Sequence, residues 1–247
     1  IGGVRPHTLM GARVLFANGT SGVVFSEKLD TFKQIHPLQK HYIDVGASGL
    51  DDCPVEVGAA ACFDRSFIAR GDHYTSKSID DRIGCAVAIE ALRRLEASPH
   101  EIYFVFSVQE EVGTRGAETA ANALAPDVGI AVDITLAGDS PGAPVIAVDL
   151  GKGTAIKVKD SGMIAHAGLV RHMRNTAEEA EIPYQLEVLE RGSTDARSMQ
   201  IAGAGCAAGC ISIPCRYAHS QSETVDVNDV ENSVKLLVEI LSKPIEL

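Results

Sequence analysis

Two adjacent carboxylates, Glu110 and Glu111, end a continuous apolar run, Ile102-Tyr103-Phe104-Val105-Phe106, and Gly113 follows two residues later. The run predicts a strand buried on both faces, and the glycine predicts a sharp turn after it. A carboxylate held away from water stays ionised only when it is paired, hydrogen-bonded or bound to a metal. Glu-Glu alone is better explained by a solvated strand end, but other residues shift that balance. Asp80 precedes a predicted helix, Asp133 ends the run Val128 to Asp133, and His219 follows the run Cys210-Ile211-Ser212-Ile213 and its Pro214. In an open α/β sheet ligands gather outside the carboxyl ends of the strands. Several acids meeting a histidine there are better explained by a cation than by coincidence. Mixed oxygen and imidazole donors suit zinc, cobalt or manganese more than calcium. One acid more than a single ion needs suggests a two-metal hydrolase, with ions about 4 Å apart sharing a carboxylate. Side chains diverge where a strand turns, so one glutamate can face the metal while the other moves a proton.

The elements that must position these groups fall into two parts. Residues 1–72 read as a small β-rich domain. Ala12 to Phe16, Asn18-Gly19 and Gly22 to Phe25 predict a hairpin, because Asn-Gly supplies the positive φ angles of a tight turn. His41 to Val45 and Ala59 to Phe67 add short strands. From residue 73 the pattern becomes α/β. Ile83, Val87, Ala88, Ala91, Leu92 and Leu95 form a stripe at helical spacing, stopped by Pro99. A helix is expected over Ala117 to Leu124, and the spacing of Leu169, Val170, Met173 and Ala177 predicts another. Thr154 to Val158 and Tyr184 to Val188 alternate as strands, and Asp226 caps a last helix carrying Val230, Val234, Leu237 and Leu241. Alternating strands and helices predict an α/β fold, a sheet covered on both sides.

With 247 residues, 45% of them hydrophobic, the chain can bury a full core. A net charge of −11 argues against nucleic acid or an anionic membrane as partner. No apolar run approaches the roughly 20 residues that cross a bilayer. The six cysteines have no zinc-knuckle spacing, and Cys85, Cys206, Cys210 and Cys215 read as buried free thiols, which predicts a cytoplasmic protein. The opening Ile1-Gly2-Gly3-Val4 carries no signal peptide and reads like the middle of a fold.

The motifs Ser78-Ile79-Asp80-Asp81-Arg82-Ile83-Gly84, Val108 to Gly113, Ala131-Val132-Asp133-Ile134-Thr135, Gly192-Ser193-Thr194-Asp195-Ala196 and Ile213 to Ser220 resemble the glutamyl and tetrahedral (TET-type) metallo-aminopeptidases, in that family's order. The resemblance implies a metallo-exopeptidase-type mixed sheet flanked by helices, with a β-rich dimerisation domain (1–72) inserted into the catalytic domain (73–247). It implies removal of N-terminal residues from peptides by two divalent ions, zinc or cobalt before manganese, and a homo-oligomer built from dimers up to a hollow dodecamer. By position, Asp80 would be the bridging ligand and Glu110 the general base. Glu111, Asp133 and His219 would be terminal ligands, and Thr194 and Asp195 would position the peptide. Asp81 is left as helix cap or ion-pair partner.

The family has one further metal-binding histidine, upstream of the stretch that Ile1 to Val4 matches, together with the first part of the catalytic domain. A chain without it would complete only the site of Asp80, Glu111 and His219, which makes a catalytically incomplete assembly subunit the alternative. A glycoside hydrolase is a weaker reading. Adjacent glutamates cannot flank a sugar bond as carboxylates about 5 to 9.5 Å apart must, and only 5% of residues are aromatic. His7, His36, His41, His73, His100, His166 and His172 match no ligand motif. Gly151-Lys152-Gly153 reads as a turn, and Arg216-Tyr217 either lines the cleft or braces His219.

Overall fold

The computed structural model describes residues 2–28 and 34–247; Ile1 and 29–33 lie outside the described residues. Its first sheet comprises β1 (Arg13–Phe16), β2 (Ser21–Ser26), β3 (His41–Asp44) and β4 (Ala61–Phe63), antiparallel in the order β3-β2-β1-β4. Strict alternation on β1 and β2 sends Val14, Phe16 and Val24 inward, onto Leu9 and Ala12. The Asn18-Gly19 turn joins β1 to β2, but only Gly19 takes a positive φ, 86°. Asn18 works through its side chain, whose Oδ1 accepts from the Thr20 N–H at 3.0 Å.

The second sheet is seven-stranded and mixed. It contains β5 (Ile68–Arg70), β6 (His73–Ser76), β7 (Val128–Leu136), β8 (Thr154–Lys159), β9 (Tyr184–Val188), β10 (Ala207–Arg216) and β11 (Glu223–Asp226). β10 is its axis. It runs parallel to β7 from Ala207↔Val128 to Cys215↔Leu136, and antiparallel to β8 and β11. β9 lies parallel to β8, and β11 continues through β6 to β5. β10 is buried along nearly its whole length, as expected for a strand covered on both faces.

Among the described residues five helices cover the sheet: α1 (Ile79–Arg94), α2 (Arg115–Leu124), α3 (Ala167–Glu179), α4 (Asp195–Ile201) and α5 (Val227–Ser242). α1, α3 and α5 pack Val87, Ala91, Leu169, Met173, Val234, Leu237 and Ile240 against Ile211 and Ile213 of β10. On the other side α4 packs Ala196 against Ala131, Ala208 and Cys210, and α2 packs on α4. Asp226 caps α5 as expected, its Oδ1 accepting from the Asn228 N–H at 2.8 Å. None of the described helices is long and apolar enough to cross a membrane.

Three expectations are overturned. β7 runs on to Leu136, so Asp133 lies inside the strand and does not end it. Ile102–Phe106 forms no strand, and it is not buried on both faces: Tyr103, Val105 and Phe106 are about half exposed, while Ile102 and Phe104 pack partly against the core. An apolar run becomes a buried strand only where neighbours offer a ladder on its edges, and none of the described residues supplies one. Cys85 is exposed on α1, and Cys206 is only half-buried; Cys210 and Cys215 are buried as expected, and all six cysteines are free.

Candidate metal centre

Asp80 and Asp81 open α1 without helical geometry, at φ −73°, ψ 107° and φ −119°, ψ 47°. Glu110 and Glu111 begin a single tight 3-10 turn, Glu110–Val112, closed by Gly113 at φ 118°. His219 lies in the loop after β10, and Asp133 lies within β7, paired with Ser212 of β10. Around these groups the main chain is strained. Ser78, Gln109, Thr114, Tyr217 and His219 all hold left-handed φ angles, between 53° and 63°. Each such non-glycine residue costs about 1–3 kcal/mol and persists only where its surroundings enforce it, most often at functional sites.

The structure brings two sets of acids together around Asp80. In the first, single donor atoms of Asp80, Glu111 and His219 lie within 4.8 Å of one another. His219 Nε2 is 3.1 Å from Asp80 Oδ2 and 3.9 Å from Glu111 Oε2. In the second, Asp80, Asp81 and Asp133 meet within the same limit. Asp80 belongs to both.

The electrostatics follow from crowding acids out of water. Burial, then the Asp80 charge, pushes Asp81 up to about 9. Burial with Asp81 and Asp80 beside it holds Asp133 well above the carboxylate range. Burial, with Asp195, Glu111 and Asp80 nearby, raises Glu110 to about 7, and burial also raises Glu111. His219 moves the other way along the charge balance: its hydrogen bond to Asp80, reinforced by Glu111, pushes it up to about 9. So many anionic donors, opposed by a single imidazole, fit a divalent cation, which would relieve the repulsion. Asp80, Glu111 and His219 form one group that could hold such an ion, and Asp80, Asp81 and Asp133 form another.

Thr194 caps α4 and Asp195 begins it. Thr194 Oγ1 and Asp195 Oδ1 are buried and have no hydrogen-bond partner among the described residues, while Asp195 Oδ2 accepts from the Ser107 hydroxyl. Asp195 is the charge that weighs most on Glu110, so this loop faces the carboxylate cluster.

Asp81 accepts from the Gly84 N–H at 3.1 Å, in keeping with the expected role as a cap. It also stands in the second acid set, and its adjacency to Asp80 was the available signal. Glu223, buried behind the ligands, was missed; no motif pointed to it. Arg216 forks onto Asp139 at 2.8 and 2.6 Å and so braces the end of β10. Among the histidines outside the cluster, His166 caps α3, His73 stands 4.0 Å from Asp226, and His100 bonds the Lys243 carbonyl. Gly151 and Gly153 form the expected turn, and their N–H groups donate to Asp229.

The sequence profile of the M42 glutamyl aminopeptidase family matches residues 1–236. A lysyl aminopeptidase of Pyrococcus furiosus is 35% identical over 265 aligned residues, covering 98% of this chain and 73% of the relative. An aminopeptidase from the archaeon Desulfurococcus kamchatkensis superposes with a TM-score of 0.94 at 39% identity, over 99% of this chain and 72% of that one. The TET1 peptidase of Pyrococcus horikoshii, described as assembling into a tetrahedron or a large octahedral shell, gives 0.87 at 30% identity, over 99% and 76%. The match runs through every motif that meets at the carboxylate cluster, and the chain belongs to the M42 glutamyl aminopeptidase family.

Proposed function

We propose that this chain carries the dinuclear centre of an aminopeptidase that removes N-terminal residues from peptides. The observation that carries the reading is the meeting of Asp80, Glu111 and His219 within 4.8 Å, with Asp80 shared by a second set that includes Asp133. Two bound ions, zinc or cobalt first, would polarise the scissile carbonyl and make a water easier to deprotonate. Glu110 is the general base. It is not among the grouped donors, it adjoins Glu111, and burial, with its acidic neighbours, raises it to about 7, where a carboxylate takes and returns a proton well. Asp80, Glu111, Asp133 and His219 act as ligands. Thr194 and Asp195 position the peptide through the buried oxygens that lack partners among the described residues.

Residues 1–72 supply the dimerisation surface in this reading. On the outer face of the small sheet Leu15, Val23, Phe25 and Tyr42 are about 40–50% exposed. The named assembly of the Pyrococcus horikoshii relative supports a homo-oligomer built on such a face. Phe25→Asp should lower the assembly state measured by light scattering, and an unchanged mass would remove this face from consideration.

The decisive experiment is metal content per chain measured alongside hydrolysis of an aminoacyl-anilide, for the unmodified protein and Glu110→Gln. We expect about two ions in both, with turnover falling about 10²–10⁴-fold in the variant. Full turnover in Glu110→Gln would end the assignment of the base. Bound metal without turnover on any aminoacyl-anilide would favour a non-catalytic assembly subunit.

A further inference from the structure

Asp80 and His219 come from distant parts of the chain, and neither holds a regular main-chain conformation. His219 has φ 63°, and Asp80 departs from the helix it opens. Something must fix the spacing of their donor atoms. One buried side chain touches both. Glu223, 3% exposed at the start of β11, accepts the Asp80 main-chain N–H on Oε2 at 3.0 Å and the His219 N–H on Oε1 at 2.7 Å. Its own backbone is set by pairing with Ser76 of β6, the strand that leads into Asp80. Although Glu223 is a carboxylate close to the site, it belongs to neither group of potential ligands, and both its oxygens are occupied by main-chain donors.

We propose that Glu223 is a positioning residue: its carboxylate clamps the main chains of Asp80 and His219 at the spacing a divalent cation requires, without touching the cation. The inference rests on the reading of this cluster as a metal site. A carboxylate is suited to the task because it accepts on both oxygens. Glutamine would keep one acceptor and turn an NH₂ toward the other N–H, and aspartate would fall short by a methylene. Groups behind the ligands commonly tune affinity by 10–100-fold.

The test uses Co²⁺ as probe, titrated into the metal-free protein and followed by its visible absorption. Glu223→Gln should raise the Co²⁺ dissociation constant about 10–100-fold and shift the absorption bands, with the number of bound ions at saturation unchanged. The spectrum reports coordination geometry, which a merely destabilised fold would leave alone. Glu223→Asp, which keeps the charge, provides the same readout should the glutamine variant fail to fold. Wild-type affinity and bands in the folded variant would overturn the proposal. Loss of one bound ion at saturation would overturn it too, by making Glu223 a ligand. Unmodified protein that takes up no Co²⁺ would overturn the metal reading together with the clamp, whereas uptake that is insensitive to Glu223 overturns the clamp alone.

Discussion

A Cβ built on Gly3 would stand 2.1 Å from His219 Nδ1, and one built on Gly2 would stand 2.2 Å from Glu111 Oε2. At those distances something must move, and the rings and carboxylates that would move are the donors themselves. Gly3→Ala should therefore displace the imidazole and weaken Co²⁺ binding by about 10–100-fold, with little change in metal-free melting. Unchanged Co²⁺ affinity would show that His219 has room the glycine does not need to provide. At this scale the sequence was most informative where side chains carry their own chemistry: Asp80, Glu111, Asp133 and His219 could be picked out by residue type, although Asp133 lies inside β7 and Glu111 follows no strand. It was silent on Gly2, Gly3 and Glu223. A glycine defined by what stands over it, and a glutamate defined by the two distant N–H groups it accepts, leave no local trace.

The strands and helices repeat the lesson with different physics. The expected strand over Thr154 to Val158 exists as β8, yet its polar position is not wet. Lys157 is fully buried, paired with Glu187 of β9 in direct register, and Thr135 of β7 donates to the same carboxylate at 2.6 Å. Three strands thus share one internal charge pair, a relation that no period-2 pattern reveals. Lys157→Met should cost about 3–5 kcal/mol, because it leaves Glu187 buried and uncompensated. Lys157→Met with Glu187→Leu should recover most of that loss. Thermal melting of the single and double variants checks this, and additive losses would show that the pair does not act as a unit. Where a segment's fate depends on which neighbours it meets, local reading fails in the other direction: Ile102–Phe106 has a strand's composition but no ladder. Helices fared better, since α1, α2, α3 and α5 each present an apolar stripe that needs only one partner face.

Across the whole molecule the carboxylate cluster links stability to both pH and metal. In the metal-free protein Asp81 is pushed up to about 9 and Asp133 is also raised, so the folded chain binds protons that the unfolded chain has released. For acids raised in this way the contribution to stability is fully present below the ordinary carboxylate range, near pH 4. It is lost as pH rises toward about 9. With chelator present, the melting temperature should fall by on the order of 5–10 °C between about pH 5 and pH 9. A divalent cation should reverse the trend. At 100 times its dissociation constant it adds about 2.7 kcal/mol. That gain should grow with pH, because ions and protons compete for the same oxygens. Melting curves collected with chelator and with Co²⁺ at several pH values test both halves. If chelated protein melts at one temperature across this range, the acids are not crowded as the fold implies. If Co²⁺ stabilises equally at every pH, it binds somewhere other than among these carboxylates.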